Sequence, residues 1–276
     1  MGEIILSSGE QEELSAYTAN RFEGCSEIAV QDTEYLKPWK GIVQYAEENG
    51  AAAALNELVC HKRPVGFRAP EELSISIDDS FAGKIPVIRV GNAEDFEELV
   101  VNIAHKGVRP DNIEKTGASF IHGKTTRFMI LSYKPYSNVP AGDLGLDDDE
   151  WIKRSMELRF CHECTHFFTR QTYGIANNIL HDELMADFTG LYEAFGYYKA
   201  EWFLRFMGIK GSEGGRMIYY TKELSENVRK ALEALIQEAA EGLERWSRSD
   251  GFAGLTTGER IKRMCFAGIS GMRDME

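Results

Sequence analysis

The chain has 276 residues, 43% of them hydrophobic and 27% charged, which is typical of a globular protein. Its net charge of −13, without a Lys/Arg-rich run, argues against nucleic-acid binding. No apolar stretch approaches the ~18 residues that span a membrane, and the N-terminus lacks the pattern of a signal peptide. The odd number of cysteines, five, indicates reduced thiols. A cytoplasmic protein without membrane or nucleic-acid partners is expected.

The first half of the chain mixes predicted helices with predicted strands. Helices are predicted over 8–22 and 39–60. Apolar residues at helical spacing predict a third helix over 93–107, with Gly107 as its stop. The segment GKIPVIRVG at 83–91 predicts a short strand. Two β-rich runs flank the turn-like HGKT at 122–125 and predict a hairpin near 117–138. These elements predict a mixed lobe with a small β-sheet over 1–145.

The second half of the chain is predicted to be helical. All seven prolines lie between Pro38 and Pro140, and proline breaks helix interiors. A long helix over 147–174 begins with acidic residues suited to the positive end of a helix dipole and ends at Gly174. Further helices are predicted over 177–196, 199–208, 219–246 and 256–269. The expected fold class is α+β, with a helical lobe over 146–276 or with both lobes in one continuous domain.

Two motifs overlap in CHECTH, at 161–166 of the long helix. His162, Glu163 and His166 form H-E-x-x-H, and residues four apart share a helix face, so both imidazoles can bind one ion. Zinc lowers the pKa of a bound water towards about 7, and Glu163 can take its proton as general base. Cys161 and Cys164 form C-x-x-C inside a helix, whereas redox pairs favour a helix N-terminus. Both cysteines are therefore predicted to be buried hydrophobic residues.

A catalytic zinc site needs a third protein ligand, and HDELMADFTG at 181–190 supplies Glu183. We expect the helix over 177–196 to begin at Asn178 and to pack antiparallel to the long helix. With a rise of about 1.5 Å per residue, Glu183 then lies about as far from the connecting loop as His166 does. Asp187, one turn later, is predicted to accept the second ring N–H of a ligating histidine.

Residues 155–195 resemble the H-E-x-x-H plus E-x-x-x-D signature of the gluzincin metallopeptidases, the thermolysin-like clan. The resemblance implies a zincin-like active-site helix pair that binds one zinc ion. It implies His162, His166 and Glu183 as the zinc ligands. It also implies Glu163 as the general base and Asp187 as the carboxylate that orients a ligand. The wider run from TGASFIHG through HDELMADFTG is also similar to an uncharacterised bacterial family.

The oxyanion stabiliser departs from the clan pattern. Those peptidases use a histidine or tyrosine from a later segment, and this chain has no histidine after Glu183. Tyr219 or Tyr220, at the start of the predicted helix 219–246, is expected to serve, ahead of Tyr192, Tyr197 and Tyr198.

The expected function is zinc-dependent hydrolysis of a peptide or small amide. Two alternatives stay open: the same site acting on a non-peptide substrate, and a regulatory or scaffold protein that binds zinc without catalysis. RFMILSY at 127–133 is a candidate to pair with an extended peptide substrate, unless it is an internal strand. The oligomeric state is also left open.

Overall fold

The structure is a computed structural model that describes residues 4–29, 33–60, 62–123, 126–177, 179–211 and 215–276. It divides into two compact units. We call residues 30–164 the mixed unit, and residues 1–29 together with 165–276 the helical unit. The boundary lies within a continuous helix, in contrast to the predicted division at 145/146, because the last proline marks the start of the helical stretch and not a change of packing partners.

The elements follow the chain in the order α1 (Ser8–Thr18), α2 (Leu36–Asn49), α3 (Ala51–Ala54), β1 (Leu73–Ser80), β2 (Gly83–Val90), α4 (Ala93–Ile103), β3 (Ala118–His122), β4 (Arg127–Ser132), α5 (Ala141–Leu144), α6 (Asp148–Tyr173), α7 (Leu180–Phe195), α8 (Ala200–Met207), α9 (Met217–Thr221), α10 (Glu226–Trp246), α11 (Asp250–Ala253) and α12 (Thr257–Met272). A π-helical turn, Leu55–Val59, continues α3. Within the described residues, no helix has both the length and the apolar character that a bilayer crossing requires. The α+β class is confirmed.

The mixed unit contains a four-stranded sheet in the order β1-β2-β4-β3. β1 pairs with β2 and β3 with β4 in antiparallel fashion, whereas β2 and β4 are parallel, with Val87 opposite Met129. The predicted hairpin is β3–β4, and its turn residues Lys124 and Thr125 lie outside the described residues. β4 is an internal strand, so the suggestion that RFMILSY pairs with a substrate is wrong: β2 and β3 already occupy both of its edges.

The core of the mixed unit lies between this sheet and helices α2 and α4. Phe96, Leu99 and Val100 of α4 recur at helical spacing and are fully buried. The Trp39 ring of α2 packs against Phe128 of β4 with 4.7 Å between ring centroids. Asn92 caps the start of α4 by accepting backbone N–H bonds, and the helix ends at Ile103, before the predicted stop at Gly107.

Helix α6 has the predicted bounds to within a residue. Acidic residues fill its first turn, and Gly174 follows its end with φ 74°. In the helical unit, α7 is buried along almost its whole length. The predicted helix 219–246 is instead two helices, α9 and α10, because the backbone is extended at Ser225, whose N–H donates to Glu13 of α1 over 2.9 Å.

Candidate metal centre

Three side chains predicted to bind a metal are brought together. His162 and His166 lie one turn apart on α6, and Glu183 lies in the first turn of α7. One ring nitrogen of each histidine and a carboxylate oxygen of Glu183 are all within 4.8 Å of one another. His166 Nε2 is 3.5 Å from Glu183 Oε1. Ligands of a tetrahedral zinc at about 2.0–2.1 Å are roughly 3.3–3.5 Å apart, so the distance between His166 and Glu183 matches this spacing. The group of three could hold a metal ion.

Burial separates this group from ordinary surface residues. His162 is 5% exposed and Glu183 3%, while the His166 side chain retains 16%. A buried carboxylate requires a positive partner or hydrogen bonds, because burial disfavours the charged form. The surroundings of Glu183 supply both.

Arg216 is the positive partner, and the sequence patterns did not indicate it. Its Nη1 lies 3.3 Å from Glu183 Oε2, and its Nη2 contacts Asp187 Oδ2. Arg216 therefore engages one oxygen of Glu183 and leaves Oε1 turned towards His166. Asp187 is fully buried and bound to Arg216; the histidine contact predicted for it stays a prediction.

A close backbone approach positions Arg216. A Cβ atom on Gly215 would lie 2.0 Å from the backbone nitrogen of Gly208, so only glycine fits at position 215. The next residue, Arg216, donates its backbone N–H to the Phe206 carbonyl over 3.0 Å. The glycine contact thus fixes the chain just before the arginine that holds both carboxylates.

The two predicted tyrosines differ in their surroundings. Both lie in α9 and not at the start of the long helix. Burial, and after it the negative charge of Glu183, raises the pKa of Tyr220 far above its usual value. Tyr220 therefore keeps its hydroxyl proton near Glu183, whereas Tyr219 is 40% exposed.

Tyr136 is a second site residue that the sequence patterns did not indicate. Its hydroxyl lies 2.8 Å from Nδ1 of His162, and both residues are buried. With Nδ1 engaged, Nε2 of His162 is the nitrogen available to a metal. In that state the proton is on Nδ1, which donates to the Tyr136 oxygen.

The segment around Tyr136 is constrained. Its backbone N–H donates to the Ser155 hydroxyl over 2.9 Å, and the Arg159 guanidinium lies 5.6 Å from the centre of its ring. Ser137 and Asn138 follow with φ of 52° and 55°, a left-handed conformation that non-glycine residues seldom adopt. Such strain persists where surrounding contacts enforce it, often at functional sites.

Glu163, the predicted general base, differs from the other site carboxylates. It is half-buried, and it makes no hydrogen bond or ion pair with any residue that the structure describes. Its oxygens are thus not committed to a structural contact, which suits a group that must accept a proton.

The two cysteines of CHECTH and the nearby His181 are not among the three donor residues. Cys161 and Cys164 are buried, as predicted, and burial raises the pKa of the Cys164 thiol well above its usual value. A thiol that stays protonated is a poor nucleophile, so Cys164 is not suited to redox chemistry. His181 is also buried, and its Nε2 lies 3.1 Å from the Met264 carbonyl. The Asn178 cap that aligned Glu183 with His166 lies outside the described residues.

The chain matches the model of the Family of unknown function (DUF7005) over residues 59–126 and 124–269. Those ranges cover most of the chain and contain every residue of the candidate metal centre. No curated protein and no solved structure matches. The chain belongs to this family.

Proposed function

We propose that this member of the DUF7005 family is a zinc-dependent hydrolase that cleaves a peptide or small amide bond. The observation that carries the proposal is the convergence of His162, His166 and Glu183 within 4.8 Å, with Glu163 beside the first histidine and uncommitted among the described residues. The resemblance of this pattern to the gluzincin metallopeptidases supports the same assignment.

The donor set favours zinc in a catalytic role. Two imidazoles and one carboxylate suit zinc, and catalytic zinc sites use three protein ligands and keep a fourth position open. When bound, zinc supplies a Lewis acid that polarises a carbonyl and brings the pKa of a ligated water to about 7. Tyr136 fixes the ring of His162, and Arg216 fixes the carboxylate of Glu183.

The chain's own side chains then carry the proton transfers and the charge stabilisation. Glu163 accepts a proton from the attacking water on a carboxylate oxygen and delivers it to the leaving nitrogen. We favour Tyr220 over Tyr219 as the donor to the oxyanion, because the buried Tyr220 hydroxyl stays protonated and senses the charge of Glu183, whereas Tyr219 is 40% exposed.

A zinc-binding regulatory or scaffold protein without catalysis is the second candidate. The strong burial of His162 and Glu183 favours it, since structural sites are closed. The uncommitted Glu163 argues against it, because a structural site has no use for a carboxylate in that place. Hydrolysis of a non-peptide substrate would use the same residues.

The test combines metal analysis with turnover of a peptide library. Wild-type protein is expected to hold one zinc per chain, and Glu183→Ala is expected to lose it. Glu163→Gln should keep its zinc and lose about 10²–10⁴-fold in turnover, the usual contribution of a general base. Glu157→Gln, an exposed glutamate on the same helix, is the matched control and should keep full activity.

Each outcome discriminates between the readings. Equal zinc content in wild type and Glu183→Ala removes Glu183 from the ligand set. Zinc binding without turnover of any peptide supports the scaffold or a non-peptide substrate. Wild-type turnover that survives Glu163→Gln refutes the mechanism.

A further inference from the structure

A cavity of about 260 Å³ in the mixed unit is lined by cations. It lies where the end of α4 meets the π-helical turn Leu55–Val59, and Val59 and Ile103 form part of its wall. Lys62, Arg63 and Lys106 also line it, and no carboxylate is among its described lining residues. The cavity thus combines a small apolar wall with three positive charges.

None of these three cations has a carboxylate partner among the described residues, although the chain carries an excess of 13 negative charges. Two other cations of the same unit are paired: Arg109 contacts Glu97, and Lys134 lies 2.8 Å from the same carboxylate. Like charges that face one cavity repel each other, and an anion bound between them would remove the repulsion.

Two of the exposed cations lie at an unusual stretch of backbone. A Cβ atom on Gly107, whose φ is 85°, would lie 3.0 Å from Arg63 Nε, so the arginine side chain packs directly against this glycine. Lys106 has a φ of 54°, which a lysine seldom adopts. The Asn102 side chain donates to the Arg63 carbonyl over 3.3 Å. These features constrain the backbone of the cavity wall, and the three cationic side chains extend from it as exposed groups.

A favourable interaction with the dipole of α4 does not explain why all three cations, Lys62, Arg63 and Lys106, lie at this cavity. Cations are often found near helix C-termini, where unpaired carbonyls carry partial negative charge. At the end of α4, however, the backbone N–H groups of Ala104 and Gly107 already bond the carbonyls of Val100 and Val101.

We propose that this cavity binds a small phosphate-bearing molecule. A guanidinium presents paired donors that match phosphate oxygens, and the two lysines add point charges for a dianion. The volume admits a phosphate group with a few further atoms against Val59 and Ile103. The site uses no residue of the metal centre and stands independently of the proposed hydrolysis.

The test measures binding of inorganic phosphate by calorimetry at constant ionic strength, with acetate as the carboxylate comparison. Wild type should bind phosphate with a dissociation constant of about 1 mM or tighter and bind acetate at least about tenfold more weakly. Arg63→Gln combined with Lys106→Gln should weaken phosphate binding about tenfold or more. Lys40→Gln combined with Lys153→Gln removes two exposed cations elsewhere and should leave it unchanged.

Phosphate bound at the metal centre would be distinguished by the variants, because it would survive Arg63→Gln/Lys106→Gln. Three results would overturn the proposal. They are phosphate binding that survives the double substitution, equal affinity of wild type for acetate and phosphate, and failure of wild type to saturate below about 20 mM phosphate. If the double variant does not fold, Lys62→Gln, a single change at an exposed residue, replaces it, and unchanged affinity there has the same meaning.

Discussion

Replacing Arg216 with methionine tests the charge balance of the metal centre. Glu183 and Asp187 are 3% and 0% exposed, and Arg216 contacts both. Methionine retains much of the apolar stem but removes the charge and the hydrogen bonds. Removing one partner of a buried ion pair typically costs about 3–5 kcal/mol, and we expect about 3 kcal/mol because the Arg216 side chain is 21% exposed.

Zinc should restore part of this loss. An ion held by Glu183 supplies the positive charge that the variant lacks at that carboxylate, and only Asp187 is then left without compensation. A metal that binds the folded state alone adds stability according to its concentration and affinity, so zinc should stabilise the variant more than wild type. The difference between the two proteins should fall to roughly half, about 1.5 kcal/mol.

Urea unfolding of chelator-treated and zinc-loaded protein at neutral pH measures both numbers. The control is Arg248→Met, because the Arg248 side chain is 69% exposed and its pair with Glu244 should contribute less than about 1 kcal/mol. If, in the absence of metal, Arg216→Met is as stable as Arg248→Met, the contacts of Arg216 with the buried carboxylates do not contribute to the free energy of unfolding. If its loss is as large with zinc as without, Glu183 does not hold the ion.

Two further substitutions probe single contacts. Tyr136→Phe removes the hydroxyl at Nδ1 of His162 and should weaken zinc affinity about 10–100-fold in a competition assay with a chromophoric chelator; unchanged affinity would show that the hydroxyl does not orient the ligand. The Tyr173 hydroxyl is buried without a hydrogen-bond partner in the described part of the chain, and burial raises the pKa of Tyr173 to about 12. Since the unfolded phenol ionises near pH 10, the stability tied to this group is present below about pH 10 and is lost as the pH rises towards 12. Tyr173→Phe should therefore lose less melting temperature than wild type above pH 10, and equal losses would contradict the assigned cause.

Sequence patterns predicted those helices and strands that form from local features, such as apolar periodicity and capping residues. The apolar run of β2, the periodicity of α4 and the acidic start of α6 all led to the observed elements. β1 was missed although its first six residues, LSISID, alternate between apolar and polar, which is the pattern of a half-buried strand. Only its aspartates are residues that strands disfavour. Arg89 of β2 bonds Ser76 and Asp78 across the strand pair, so these polar positions are stabilised only once the sheet has formed.

Some residues of the candidate metal centre were also predictable from local patterns, and others were not. The spacing of His162, Glu163 and His166 follows from helix geometry, and Glu183 follows from a short pattern in the next helix. Arg216 lies 33 residues beyond Glu183, and Tyr136 lies 26 residues before His162. No periodicity relates residues at such separations, and only the tertiary fold brings them into contact. The group of His162, His166 and Glu183 was therefore predictable, and its contacts with Arg216 and Tyr136 were not.

The charges at the candidate centre give a reason for the contact of Arg216 with Glu183 and Asp187. A zinc ion and Arg216 together would bring three positive charges, and Glu163, Glu183 and Asp187 bring three negative ones when all are ionised. Without Arg216 the three carboxylates would exceed the charge of the ion by one, and two of them, Glu183 and Asp187, are almost fully buried. An uncompensated buried charge is costly, because burial disfavours the charged form. If the centre hydrolyses amides, Arg216 supports the reaction by holding Glu183 and Asp187 in place.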